Sequence, residues 1–93
     1  MNLWWLSFAD DDECRGVVIT PDTDGGNLAL AVARMHREGL NPGGEVAGYS
    51  VPVEQMEANQ PEAMLPENQN RLIPQPEILS WKGVYKVKDM PSE

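Results

Sequence analysis

Few residues of this chain could do covalent or acid–base chemistry, because it has one histidine and one cysteine. Ser-His-Asp or Cys-His catalysis would have to use His36, which lies near the end of a predicted helix, where an exposed histidine is common. Cys14 stands beside Arg15 in a strand-like run, where a cysteine is more often a small packed hydrophobe than a nucleophile. Because no base can be placed beside either side chain, we predict that the protein is not an enzyme.

Two acidic runs have residue types that bind cations. The run from Asp22 to Asn27 begins like a calcium loop, but its fifth position would be Gly26, and Ala33 would stand where a bidentate glutamate is needed. The run from Asp10 to Glu13 is better explained as the solvated tip of a hairpin than as a divalent-ion site. We therefore predict no bound metal and no cofactor.

Paired glycines suggest an anion site instead. Gly25-Gly26 before a helix and Gly43-Gly44 in a turn leave backbone amides exposed, and such amides can converge on a phosphate. The side chains that could add charge and stacking for a nucleotide are Arg34, Arg37, Trp4, Trp5 and Tyr49. Against this, the chain has no P-loop lysine and no G-x-G-x-x-G pattern, and Asp22 and Asp24 would repel phosphate at the first glycine pair. A nucleotide-binding protein that sequesters a signalling molecule is therefore an alternative function.

The charge of the chain bears on its partners. Residues 1–70 carry 12 acidic and 3 basic side chains, whereas residues 71–93 carry 3 acidic and 4 basic ones. Nucleic-acid binding needs clustered Lys and Arg, and only Lys82, Lys86 and Lys88 approach such a cluster, so no direct contact with nucleic acid is expected. The acidity either keeps the chain in solution or forms a surface that docks on a basic one.

The predicted protein interface combines acidic residues with a tryptophan. Alternation along a strand sends Trp4 and Trp5 to opposite faces, so one of them should lie outside the main core. A dimer or partner would cover it, unless the chain after Pro52 folds over it. We expect a protein partner, with a host defence component as one candidate, and a homo-oligomer. The predicted interface residues are Asp10, Asp11, Asp12, Glu13 and Trp5.

A helix at about 27–38 is the clearest predicted element. Thr23, Asp24 or Asn27 can cap its first turn, and Asp24 also complements the helix dipole. Gly39 is suited to the left-handed position after the helix, with Leu40 folding back as in a Schellman motif. One apolar stripe at helical spacing consists of Leu28, Ala31, Val32 and Met35.

Strands are predicted on both sides of this helix. Leu3 to Phe8 and Cys14 to Thr20 read as a hairpin, and Val46 to Val51 as a third strand that ends at Pro52. Between the helix and the third strand, Asn41-Pro42-Gly43-Gly44 has the pattern of a type II turn. Such a turn needs a positive φ at Gly43, which should therefore tolerate substitution less well than Gly44.

One run resembles known proteins. GLNPGGEVAGYSVP, from Gly39 to Pro52, follows an alanine-rich helix that carries Met35-His36-Arg37. This arrangement resembles short uncharacterised proteins of bacteria and their phages, in which a Gly-Ile-Asn-Pro-Gly-Gly-Glu-Val run follows a similar helix. The resemblance covers roughly the first half of the chain. Because the matched residues are turn and cap residues, it implies a fold rather than an activity.

The predicted architecture is a small α+β domain with an antiparallel sheet, one main helix packed on it and an irregular C-terminal arm. Residues 1–52 should form the core, 53–70 an extended or mobile polar connector, and 71–93 an arm that packs back on the core. Within the arm, 71–73 and 78–81 are apolar islands, 76–77 opens a helical turn, and 84–88 could be an edge strand. A chain of 93 residues supports one modest core.

Composition and these patterns together give the functional hypotheses. The chain has no apolar run of about 18 residues and no basic-then-apolar leader, so we expect a cytoplasmic protein without membrane contact. Non-enzymatic docking on another protein, as a phage-type inhibitor of a host system, is the leading hypothesis. The nucleotide-sequestering protein and a structural component of a larger assembly are the alternatives.

Overall fold

A computed structural model describes residues 1–11 and 13–81. These residues form a four-stranded antiparallel sheet in the order β3-β1-β2-β4, with helices packed against it, so the predicted α+β fold is confirmed. The strands are β1 (Asn2–Asp10), β2 (Glu13–Pro21), β3 (Glu45–Pro52) and β4 (Leu72–Ile73). The helices are α1 (Leu28–Arg37), α2 (Val53–Asn59) and α3 (Gln75–Leu79), with 3-10 turns at Pro61–Met64 and Pro66–Asn68.

The predicted hairpin forms the centre of the sheet. β1 pairs regularly with β2 from Leu3 opposite Pro21 to Phe8 opposite Gly16. The register then shifts so that Ala9 lies opposite Cys14, which is a β-bulge. On its other side β1 pairs with β3 along the whole of that strand. β1 is therefore a central strand, and the chain reaches β3 by crossing over it through α1.

Alternation along the strands divides the apolar side chains between two faces. Because both faces are apolar, the sheet needs cover on both sides. On the α1 face, one buried cluster contains Trp4, Leu6, Phe8, Val18, Ala31 and Met35. On the opposite face, which we call the C-terminal face, a second cluster includes Leu3, Val17, Ile19, Met56, Ile73 and Trp81.

α1 begins and ends as the sequence predicts. Asn27 is the N-cap, and its side-chain oxygen accepts a hydrogen bond from the amide of Leu30 at 3.3 Å. At the other end Gly39 has a φ of 74°, and the amide of Leu40 donates to the carbonyl of Met35 at 2.9 Å. This bond closes six residues, which is the characteristic hydrogen bond of a Schellman motif. Both predicted caps are therefore confirmed.

The turn before β3 differs from the predicted one. Gly43 has the expected positive φ of 96°, but its amide donates to the side-chain oxygen of Asn41 at 2.8 Å, which makes an Asx turn. Gly44 also has a positive φ, of 82°, and a Cβ at this position would lie 2.3 Å from the carbonyl oxygen of Ala9. A Cβ on Gly43 would meet nothing within 4 Å. Gly44 is thus the more constrained position, because the end of β1 approaches it closely.

Residues 53–70 do not have the extended conformation that is predicted as one possibility for this connector. Most of this segment is α2 and the two 3-10 turns, and each turn begins at a proline. Met56 and Ala63 are buried on the C-terminal face of the sheet. Asn68 is also buried, and its side-chain amide donates to the carbonyl of Glu62 at 2.8 Å. Because each short turn buries only one or two residues, the segment shows little apolar periodicity in its sequence.

Residues 71–81 of the C-terminal arm pack against the sheet. β4 pairs with β2, with Ile73 opposite Val17. α3 follows and carries a proline in its first turn, as predicted, and Trp81 is buried. Arg71 pairs with Glu77 and so ties the start of β4 to α3. The predicted strand at 84–88 lies outside the described residues.

The two glycines of the turn give a matched test of this packing. Alanine at either position has to adopt the positive φ of the glycine that it replaces, which costs an L residue roughly 1–2 kcal/mol. Only Gly44→Ala also forces a Cβ against the Ala9 carbonyl, so we expect it to lower the free energy of unfolding by at least about 1 kcal/mol more than Gly43→Ala. Urea unfolding of both variants measures the difference. An equal or larger loss in Gly43→Ala would contradict the close approach of β1 to this turn.

Candidate functional site

The predicted acidic interface lies at the tip of the β1–β2 hairpin. Asp10, Asp11 and Glu13 are exposed there, while Asp12 lies outside the described residues. Asp10 accepts a hydrogen bond from Arg15 at 2.6 Å, and both side chains are more than 40% exposed, so this ion pair contributes little to stability. Trp5 lies five residues before Asp10 on β1, roughly 17 Å away along an extended strand. The tip and Trp5 therefore do not form one compact patch.

Trp5 lies on the C-terminal face of the sheet, opposite to Trp4, as alternation predicts. Its ring meets Trp81 edge to face, with ring centroids 6.5 Å apart and planes at 78°. Edge-to-face contact is a favourable geometry for two aromatic rings. The chain after Pro52 thus reaches Trp5 and leaves it half-buried.

Beside Trp5 is a groove of about 550 Å³, which we call the β3 groove. Its floor comes from the sheet, namely Trp5 and Ser7 of β1 with Ala47, Tyr49 and Val51 of β3. Its wall comes from Gln55, Met56 and Asn59 of α2, followed by Gln60.

Strand register explains why these side chains meet. Trp5 is paired with Tyr49 and Ser7 with Ala47, so two aromatic side chains lie beside two small ones on the same face. α2 begins directly after Pro52 and buries Met56 against the sheet. The small side chains leave the space above them open, and Tyr49 is 63% exposed.

The described side chains that line the groove are uncharged and mostly apolar. Its floor is mainly aromatic and apolar, and its wall adds three side-chain amides. None of the described residues that line it carries a charge. It can therefore pack against an apolar or aromatic group and exchange neutral hydrogen bonds with polar atoms beside that group.

The structure does not assemble the predicted nucleotide site. Arg34 makes two hydrogen bonds to Asp24, the shorter of 2.8 Å, and the two side chains are only 15% and 8% exposed. It also donates to the hydroxyl of Thr20 at 3.1 Å and to the carbonyl of Pro21 at 3.0 Å. The hydrogen bond to Asp24 raises the pKa of Arg34, although burial opposes this effect. Arg34 is thus neutralised inside the fold, whereas Arg37 is exposed at the far end of α1.

The two glycine pairs are also far apart. Gly25-Gly26 lies near the first residues of β1, in a polar pocket shared with Asn2. Gly44 lies against Ala9 near the other end of β1. Seven residues of extended strand separate these ends, roughly 23 Å. Tyr49 belongs to the opposite face of the sheet from Arg34, so these residues cannot surround one anion.

The carboxylates in the loop before α1 accept hydrogen bonds from neighbouring parts of the same chain. Asp22 accepts a hydrogen bond from the hydroxyl of Ser50 at 2.6 Å and others from the amides of Asp24 and Gly26. The bond from Ser50 is the largest cause of a lowered pKa for Asp22. Asp24 accepts a further bond from the indole of Trp4 at 3.0 Å. These bonds hold the loop between β2 and α1 against the ends of β1 and β3.

The sequence indicates Trp5 and Tyr49 as candidate site residues, but it does not predict the groove that they share. Tyr49 belongs to the predicted nucleotide site, and Gln55 and Asn59 belong to the predicted connector. The local signs of α2 are limited to Pro52 and to Val53 and Met56, which are three residues apart and so lie on one helix face. The pairing of β3 with β1 has no local sign, because it depends on strand order.

Comparison with known proteins gives no family: no family model, no curated protein and no solved structure matches the chain. Within residues 1–11 and 13–81, no group of three or more His, Cys, Asp or Glu side chains is arranged to hold a metal ion. In the same part of the chain, no helix has the length and apolar character needed to cross a membrane.

The lowered pKa of Asp22 predicts a loss of stability in acid. A carboxylate whose pKa is lower in the folded state stabilises the fold above its unfolded pKa, about 3.9, and this stabilisation is lost as the pH falls through the folded value. Asp22→Asn should therefore be less stable than the wild type at pH 6, and the difference should shrink as the pH approaches 3. Urea unfolding across this range measures it. If the difference in the free energy of unfolding does not depend on pH, the hydrogen bond from Ser50 does not stabilise the charged form of Asp22.

Proposed function

We propose that this protein is a non-enzymatic protein-binding module that receives an apolar or aromatic side chain of its partner in the β3 groove. The observation that carries the proposal is the exposed ring of Tyr49 beside Trp5 in a groove without charged lining residues. Protein interfaces are enriched in tyrosine and tryptophan, which bury a large area at little entropic cost. The amides of Gln55 and Asn59 can bind the main chain on either side of such an anchor.

Charge supports a partner with basic residues near the anchor. The net charge is −8, and three of the four arginines in the described residues are paired with a carboxylate of the same fold. Glu45 shares the face of Ala47 and Tyr49 by strand alternation, and Glu54 and Glu57 are exposed on α2. A Lys or Arg close to the partner's anchor would meet these carboxylates. Charge of this kind raises the association rate and excludes acidic partners.

The open shape of the groove favours a protein over a small molecule. Small-molecule sites enclose most of their ligand, whereas this groove exposes the greater part of Tyr49. A nucleotide would also need a cation, and Arg34, one of the two arginines of the predicted site, is paired with Asp24. A phage-type inhibitor of a host protein would use such a surface, and so would a component of a larger assembly.

Selection from a random peptide library on the full chain tests the proposal. We expect selected peptides to carry an aromatic or large aliphatic residue next to Lys or Arg. Fluorescence anisotropy of a labelled selected peptide should then show a dissociation constant that rises with NaCl, because screening weakens the contribution of the carboxylates.

Two matched variants locate the binding site. Tyr49→Ser should weaken peptide binding at least about tenfold, the loss typical of an interface hot spot. Leu30→Ser is the control, because Leu30 is also exposed, at 55%, but lies on α1. Equal affinity of the selected peptides for both variants and the wild type would contradict the proposed site. A nucleotide that raises the melting temperature, with no effect in an Arg34→Ala, Arg37→Ala variant, would instead support the alternative function.

A further inference from the structure

The two edges of the sheet differ in how they are protected. At one edge β4 has only two residues and is followed by Pro74, and the amide of Asn70 donates to the carbonyl of Ile19 of β2 at 2.7 Å. At the other edge β3 has eight residues in regular register with β1. β3 has no lysine, no bulge and no proline before its last residue, which are the features that normally protect an edge. Among the described residues, no strand pairs with its outer side.

We propose that two copies of this chain pair antiparallel through their β3 edges and form one continuous sheet. In this arrangement Tyr49 of each copy borders the β3 groove of the other. The second copy is therefore part of the binding surface as well as a partner. This inference goes beyond the proposed function and does not depend on it.

Charge favours this edge for the contact between copies. Two chains with a net charge of −8 repel each other over most of their surface. Val46 to Pro52 contains no charged residue, so the paired strand residues themselves add no charge repulsion to the contact. In an antiparallel pair, the two Glu45 side chains lie at opposite ends of the contact.

Side-chain size favours a register centred on Gly48. With the two-fold axis at Gly48, Tyr49 lies opposite Ala47 of the second copy, and Glu45 lies opposite Val51. Ala47 is the smallest residue on this face of β3, so it leaves room for the exposed ring. Centring on Tyr49 would place two large rings directly opposite each other. Centring on Ala47 would place Glu45 opposite the ring of Tyr49.

Sedimentation velocity of the wild type measures the association itself. We expect a dimer at micromolar concentrations whose dissociation constant falls as NaCl rises, because salt screens the repulsion between like-charged chains. Peptide binding in the groove should have the opposite salt dependence, so failure of one proposal can be told from failure of the other. A wild type that stays monomeric at tens of micromolar would overturn the dimer, and so would a dimer that salt weakens.

Cysteine cross-linking tests the register. Ala47→Cys and Tyr49→Cys are made as separate proteins in a Cys14→Ser background and mixed under mild oxidation. Directly opposed residues of antiparallel strands have Cα atoms about 4.5–5.5 Å apart, which suits a disulfide. We expect the mixture to yield several-fold more disulfide-linked dimer than either variant alone. Equal cross-linking of the Ala47→Cys variant with itself would overturn the Gly48-centred register.

Discussion

The alternation of large apolar side chains along β1 is the constraint on which the rest of the structure depends. Leu3-Trp4-Trp5-Leu6 places large apolar side chains on both faces of a central strand, so a single helix cannot cover them. α1 covers the face that carries Trp4 and Leu6. The chain after Pro52 has to return across the other face, where Leu3 is buried with Met56 and Trp81. The short C-terminal helices therefore belong to the core, although their sequence is mostly polar.

The β3 groove follows from incomplete cover of that second face. Residues beyond Pro52 bury Leu3, Val17 and Ile19, while Trp5 stays half-buried and Tyr49 stays exposed. The side chains of Ser7 and Ala47 are small, so they offer little apolar surface for the chain after Pro52 to bury. The same two-sided sheet that stabilises the fold thus leaves an aromatic surface next to its long edge strand.

Local signals explain what the sequence predicts correctly. The caps of α1 are set by Asn27 and Gly39, and each of these interacts with residues only a few positions away. Residues of 53–70 pack against β1 and β2, which are distant in sequence. Their burial therefore produces no regular apolar pattern in the sequence. The sensitivity of Gly44 is likewise non-local, because it comes from Ala9. The site follows the same rule: the sequence indicates Trp5 for the protein interface and Tyr49 for the nucleotide site, but their pairing depends on the strand order.

Internal ion pairs determine which charges the surface presents. Arg34 and Asp24 are largely shielded from water, and their hydrogen bonds join the last turn of α1 to the loop before the helix and, through Asp24, to the indole of Trp4. Arg15 and Arg71 are also paired within the fold. The carboxylates around β3 and α2 therefore act with little compensation from cations of the described residues. In the proposed interface these carboxylates would attract basic groups of a partner, whereas Val46 to Pro52 of the β3 edge carries no charge that would repel a second copy.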